Sequence, residues 1–86
     1  MLAITIYTTS YCPYCVRAKQ LLAHKKLDFV EVDVSHDDAR RAWLVETTGL
    51  RTVPQVFVGD RSVGGFDDLA ALERAGELDK LLAGNP

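Results

Sequence analysis

The sequence predicts one α/β domain in which a mixed four-stranded sheet carries helices on both faces. Three observations point to it. Short apolar, β-branched runs alternate with longer amphipathic ones in the order β-α-β-α-β-β-α, with a further short helix at the end. A helical crossover makes the first two strands parallel and the connection right-handed, while a two-residue turn closes the last two into an antiparallel hairpin. With 86 residues, the chain spanning 1–86 has room for one core only.

Each element has its own signal. Residues 2–7 are apolar and β-branched, too short for a helix, and run into Thr8, Thr9 and Ser10, as a buried strand does. Pro13 suits the first helical position, where its missing N–H would be unpaired anyway. Cys15, Ala18, Leu21 and Leu22 then mark one face of a helix ending near Lys26, with its late cations toward the negative end of the dipole. Phe29, Val30, Val32 and Val34 give a second strand. Ser35 is expected to cap a second helix, with Asp37 and Asp38 in its first turn. That helix carries Ala39, Ala42, Trp43, Leu44 and Val45 and stops at Gly49, a natural left-handed terminator. Pro54 opens a third strand, Gln55-Val56-Phe57-Val58, and Gly59-Asp60 turns it into Arg61-Ser62-Val63. After Gly64 and Gly65, Asp67 or Asp68 starts a third helix with Leu69 and Leu72. Gly76 interrupts it, and Leu78, Leu81 and Leu82 form a last short helix before a frayed Gly84-Asn85-Pro86 end.

Composition narrows the function classes. A formal net charge of −2 argues against a polynucleotide-binding surface. No run of about 18 apolar residues occurs, so no membrane span is expected. Met1-Leu2-Ala3-Ile4-Thr5 lacks a basic region and reads as a first strand instead of a signal peptide. A monomer in the reducing cytoplasm is the expected setting, where a Cys-x-x-Cys pair is more often catalytic or metal-binding than structural.

The two cysteines of the chain both lie in Cys12-Pro13-Tyr14-Cys15, where the first strand gives way to the first helix. A thiol there faces unpaired backbone N–H groups and the positive end of the macrodipole, both of which favour the nucleophilic thiolate. Dithiol exchange is the leading chemistry. Cys12, at the exposed end of the helix, is the candidate nucleophile, and Cys15, one turn inside, the resolving thiol. The dipole supplies about 0.3–2 kcal/mol, and any larger effect requires N–H···S contacts, for which Tyr14 and Cys15 carry the donors. A lower pKa raises the thiolate fraction but lowers intrinsic nucleophilicity, so its clearer benefit is to Cys12 as a leaving group.

With Cys12-Pro13-Tyr14-Cys15 after strand one, Thr52-Val53-Pro54 before strand three, and Gly64-Gly65-Phe66-Asp67-Asp68 before helix three, the chain resembles a dithiol glutaredoxin over nearly its whole length. The resemblance implies a thioredoxin-like fold with strand order 2-1-3-4. It also implies glutathione-dependent reduction of protein disulfides and protein–glutathione mixed disulfides, with glutathione as co-substrate and no metal. Clients would be glutathionylated or disulfide-containing proteins, ribonucleotide reductase among the candidates. The peptide before Pro54 would be cis and face Cys12, leaving the Val53 N–H and C=O as a short edge for an extended substrate. Tyr14, Thr52, Val53, Pro54, Gly65, Phe66, Asp67 and Asp68 would bind glutathione, the N–H groups at the start of helix three taking the γ-glutamyl carboxylate. Alone, Asp67 and Asp68 would also read as plain helix caps. Arg41 matches the position holding the glycine carboxylate, with Arg51 a weaker candidate. Tyr11 is expected at the lip of the groove, and Tyr7 and Phe57 in the core.

Four other readings compete. A zinc site would need four ligands, and beyond the two cysteines only His24 and His36 remain, read more simply as surface residues. An iron–sulfur cluster bridged between two chains belongs mainly to single-cysteine members of the family. A glutaredoxin-like redoxin reduced by thioredoxin reductase keeps the chemistry and changes the electron donor. A non-enzymatic adaptor of the same fold has no use for two intact cysteines. One departure stands out: family members commonly carry Lys where this chain has Thr9. A Thr9→Lys variant is therefore expected to show a lower Cys12 pKa and tighter glutathione binding. Titration of the thiolate absorbance of both proteins checks this, and equal pKa values would refute it.

Overall fold

The computed structural model describes residues 1–84; the fraying expected at Asn85 and Pro86 lies outside the described residues. Its elements are β1 (Ile4–Thr8), α1 (Pro13–His24), β2 (Val30–Asp33), α2 (Asp38–Thr48), β3 (Gln55–Val58), β4 (Arg61–Gly64), α3 (Phe66–Arg74) and α4 (Glu77–Leu82). The four strands form one sheet in the order β2-β1-β3-β4. β1 runs parallel to β2 and antiparallel to β3, and β3 runs antiparallel to β4 with an irregularity at Val56/Phe57.

Strand alternation divides the apolar residues between two faces. Ile4 stands opposite Val58 and Ile6 opposite Val56, and all four pack with Ala18 and Leu22 of α1, Leu69 of α3, and Leu78 and Leu82 of α4. The other face is smaller. Tyr7 and Phe57, both in the core as expected, join Val34 and Leu44 there under α2. Trp43 stacks on Phe57 at 5.9 Å between ring centroids but remains 38% exposed, so α2 covers its face of the sheet only in part.

Several boundaries differ from the sequence expectation. Leu2 lies outside β1 and is half exposed, held instead by its N–H to the Leu82 carbonyl at 2.8 Å. Val30 is exposed because β2 is an edge strand with little covering it. Ser35 does not cap α2. The chain is still tied to β1 at Val34, whose N–H reaches Thr8 O at 2.8 Å, so the helix starts later. Asp37 caps it, accepting the Arg40 N–H at 2.9 Å, while Ser35 Oγ accepts the Ser10 N–H at 2.8 Å. Gly49 does end α2 in the left-handed region, with φ 76°. α3 starts at Phe66, before either aspartate, with Gly65 at its N-cap. At the end of α1, Lys25 meets Glu73 at 2.8 Å and Asp79 at 3.2 Å, tying three helices together.

Two polar side chains inside this frame have no counterpart in the apolar pattern. Thr8, 1% exposed, donates to Glu31 Oε2 at 2.7 Å, and Glu31 also meets Lys19 at 3.0 Å. The Thr8 hydroxyl, with Lys19 second, holds the Glu31 carboxyl below its usual range, and Ser35 does the same for Asp33. Gln55, also 1% exposed, is bonded at both ends of its amide: Oε1 accepts from Thr48 Oγ1 at 2.9 Å, and Nε2 donates to Leu50 O at 2.9 Å and Thr52 O at 3.0 Å.

Carboxylates with depressed pKa values contribute stability that is complete above their unfolded values and lost as pH falls through their folded values. Stability is therefore expected to decline below about pH 4.5, the ordinary value for Glu31. Thr8→Val removes the largest cause, and with Glu31 partly exposed it is expected to cost about 0.5–1 kcal/mol near neutral pH and to flatten the acid limb. Urea midpoints across the acid range check both. Gln55→Leu leaves the Leu50 and Thr52 carbonyls without their donor and the Thr48 hydroxyl without one of its acceptors, and is expected to cost about 2 kcal/mol, lowering the melting temperature by about 10 °C. An unchanged melting temperature would refute that assignment.

Candidate active site

The first turn of α1 builds the reactive centre. Cys12 is the N-cap residue, extended at φ −141° and ψ 97°, and Pro13 takes the first helical position. The side chain therefore sits where a Ser or Asp would ordinarily accept a backbone N–H. Cys12 Sγ fills that role, accepting the Cys15 N–H at 3.1 Å. Of the two backbone donors expected, Cys15 is the one that makes the bond. Cys12 and Cys15 are joined as a disulfide, with Cα atoms 5.1 Å apart. Cys12 is partly exposed, while Cys15 is 1% exposed against the core, so the two sulfurs are unequal in access.

The segment before β3 forms the second wall. The Val53–Pro54 peptide is cis, and Cys12 Sγ lies 3.5 Å from Val53 O. A disulfide sulfur has no proton to give, but in the dithiol state the same approach suits an S–H donor. Gln55 holds this segment from beneath through the carbonyls of Leu50 and Thr52.

The third wall is the start of α3. Gly64 has φ +98° and lies against the Asp68 carboxylate, so a side chain there would be both strained and obstructed. Asp68 accepts the Gly65 N–H at 3.0 Å and thus does act as a cap, while Asp67 is exposed. The N–H groups of Phe66, Asp67 and Asp68, in the first turn of α3, lack partners within the helix. Tyr14, beside the cysteines, lies between the Arg17 guanidinium at 5.3 Å and the Phe66 ring at 6.3 Å.

These walls enclose a groove of about 260 Å³ lined by Tyr14, Thr52, Val53, Pro54, Gly65, Phe66, Asp67 and Asp68, together with Leu50. Arg41 is not in that groove. It lines one hollow with Arg51 and another with Thr9, Ser10, Tyr11, Ser35 and His36, both of which share Val53 with the groove. Tyr11 is 98% exposed at the rim. His24 ends α1 and His36 precedes α2, both exposed. Among the described residues no three His, Cys, Asp or Glu side chains gather into a metal-ligand set, and no helix is long and apolar enough to cross a membrane.

Sequence reasoning missed Leu50, Gln55 and the Ser10–Ser35 pair. An apolar residue directly after a helix-ending glycine was a signal for Leu50, and a lone amide heading an apolar strand was one for Gln55. The serine pair, 25 residues apart in sequence, left none.

Comparison with known proteins matches this geometry. A family model described as Glutaredoxin covers residues 4–63. The chain is 54% identical over 80 residues to a glutaredoxin of Pseudomonas aeruginosa, covering 93% of this chain and 95% of that protein. The solution structure of a glutaredoxin from Brucella melitensis superposes with a TM-score of 0.85 at 51% identity, covering 95% of this chain and 89% of that one. A buckwheat glutaredoxin–glutathione complex gives a TM-score of 0.90 at 31% identity, over 96% of this chain and 78% of that one. With its thioredoxin fold and its Cys12–Cys15 disulfide, the chain belongs to the glutaredoxin family of thiol–disulfide oxidoreductases.

Proposed function

We propose that the protein is a glutathione-dependent oxidoreductase that reduces protein disulfides and protein–glutathione mixed disulfides through Cys12-Pro13-Tyr14-Cys15. The observation that carries this reading is the juxtaposition of a partly exposed N-cap sulfur with a tripeptide-sized groove. Cys12 Sγ lies 3.5 Å from Val53 O, at the margin of the hollow shared by Tyr14, Thr52, Pro54, Gly65, Phe66, Asp67 and Asp68. The similarity to a buckwheat glutaredoxin solved with glutathione supports it further.

In this reading the Cys12 thiolate attacks the glutathione sulfur of a mixed disulfide. The client leaves as its thiolate and Cys12 carries the glutathionyl group. A second glutathione thiolate then attacks that glutathionyl sulfur, releasing oxidised glutathione and regenerating the Cys12 thiolate. The Cys15 N–H, placed 3.1 Å from Sγ, favours the charge that Cys12 bears as attacker and leaving group. With a protein disulfide, Cys15 attacks the mixed disulfide at Cys12 and frees the client as a dithiol, producing the bond present in this structure. Two glutathiones reduce it.

Glutathione would lie along Val53, its γ-glutamyl end over the α3 N-terminus and its glycine end toward Arg41. Helix N–H groups and their positive dipole end suit the γ-glutamyl carboxylate, and exposed Asp67 suits the neighbouring amine. Such a cycle belongs in a reducing compartment, the cytoplasm, where glutathione is kept as a thiol.

NADPH-coupled turnover of a glutathionylated substrate is the test. Activity is expected with glutathione reductase and glutathione, and activity solely with thioredoxin reductase would overturn the reading. Cys15→Ser is expected to retain removal of glutathione, since that route uses one thiol, whereas Cys12→Ser abolishes it. Equal loss in both variants would refute the single-thiol route.

A further inference from the structure

Arg17 lines neither the groove nor the two hollows beside it, yet it stands against one of the groove's walls. It lies on α1, three residues after Tyr14, so the two side chains share one helix face. The guanidinium carbon is over the Tyr14 ring, 5.3 Å from its centroid. Arg17 is exposed, and none of the ion pairs among the described residues includes it. Its partner is the ring.

Tyr14 lines the groove with 53% of its surface exposed, so packing by itself leaves the side chain room to change rotamer. Its aromatic neighbour is Phe66, the first residue of α3, at 6.3 Å between centroids and inclined by 36°. Both rings line the groove, one from α1 and the other from α3, so the pair joins two walls. A Tyr14 ring swung out to solvent would open the groove between them, and one swung inward would fill it. A cation over the ring favours one orientation, because the attraction is lost once the guanidinium leaves the ring face. Arginine suits the task. Its planar, weakly hydrated guanidinium stacks on aromatic faces and stays charged throughout the physiological pH range.

We propose that Arg17 is a positioning residue for glutathione recognition: its guanidinium orients the Tyr14 ring as a fixed wall of the groove beside Cys12. The inference rests on glutathione being the co-substrate. Arg17 has two other routes to activity, a direct attraction to the net negative charge of glutathione and an effect on the ionisation of Cys12. The test separates all three.

Two donors are compared that share one leaving thiol, joined in one to glutathione and in the other to 2-mercaptoethanol, which is too small to fill the groove. The ratio of their kcat/KM values cancels the ionisation of Cys12 and of the leaving thiol. In Arg17→Met, which keeps an apolar stem, the ratio is expected to fall about threefold, the size of an exposed cation–π contact. Arg17→Lys keeps a cation for the ring and is expected to stay within about twofold of the native ratio. Tyr14→Leu lowers the ratio by itself, and adding Arg17→Met is expected to lower it no further, since the side chain through which Arg17 acts is gone. A direct attraction to glutathione would persist in that background. An unchanged ratio in Arg17→Met, a ratio in Arg17→Lys as low as in Arg17→Met, or the same fall with and without Tyr14 would overturn the proposal and leave the glutathione reading intact. No turnover of the glutathione donor by the native protein would overturn both.

Discussion

The antiparallel pairing of β1 with β3 is the constraint on which the rest of the molecule depends. Ile4 stands against Val58 and Tyr7 against Gln55, so the outgoing end of β1 lies beside the incoming end of β3. β1 leads on to Cys12, and β3 is preceded by Val53 and Pro54. Residues 41 apart in sequence are thereby placed with Sγ 3.5 Å from a backbone carbonyl. A shift of one residue in this register would turn Ile4, Ile6, Val56 and Val58 toward the wrong face, so core packing and site geometry are specified together.

Around that pairing, small polar contacts convert a sheet edge into a shaped groove. Gln55 holds the approach to β3 from below, Asp68 holds Gly65 at the α3 N-terminus, and Ser10 and Ser35 join the loops before α1 and α2. Each is a local bond of ordinary strength, but the Gln55 amide is buried, where leaving its partners unmade is costlier than the bond itself is stabilising. The loops consequently inherit the rigidity of the strands beside them. The weaker part is α2, whose core face is confined to Leu44 and a partly covered Trp43.

The two sulfurs show how one helical turn divides a symmetric motif. Cys12, at the N-cap, is open to substrate and bonded to a backbone N–H, whereas Cys15 lies against the buried face with Ala18 and Leu22. The backbone N–H that stabilises charge on Cys12 belongs to Cys15 itself, so the spacing of the motif supplies both the resolving thiol and the stabilising donor.

Periodicity and turn chemistry by themselves determined the order and type of the elements, the hairpin at Gly59-Asp60, the end of α2 at Gly49 and the unequal placing of the cysteines. These are local properties, decided by neighbours within a few residues. The family motifs added the strand order, and they named the residues that the structure gathers into one groove. Tertiary structure alone decided which end of each loop is held, and by what. Ser35 reads locally as a cap, but the Val34–Thr8 bond carries the chain past it and Asp37 caps instead. Arg41 reads as part of the groove, yet it lines two neighbouring hollows that share Val53 with the groove. His36 reads as a surface residue, and it is one, on the rim of a hollow formed by a serine 25 residues away from its own neighbour. Such outcomes depend on distances between segments far apart in the chain, which residue types and spacing do not encode.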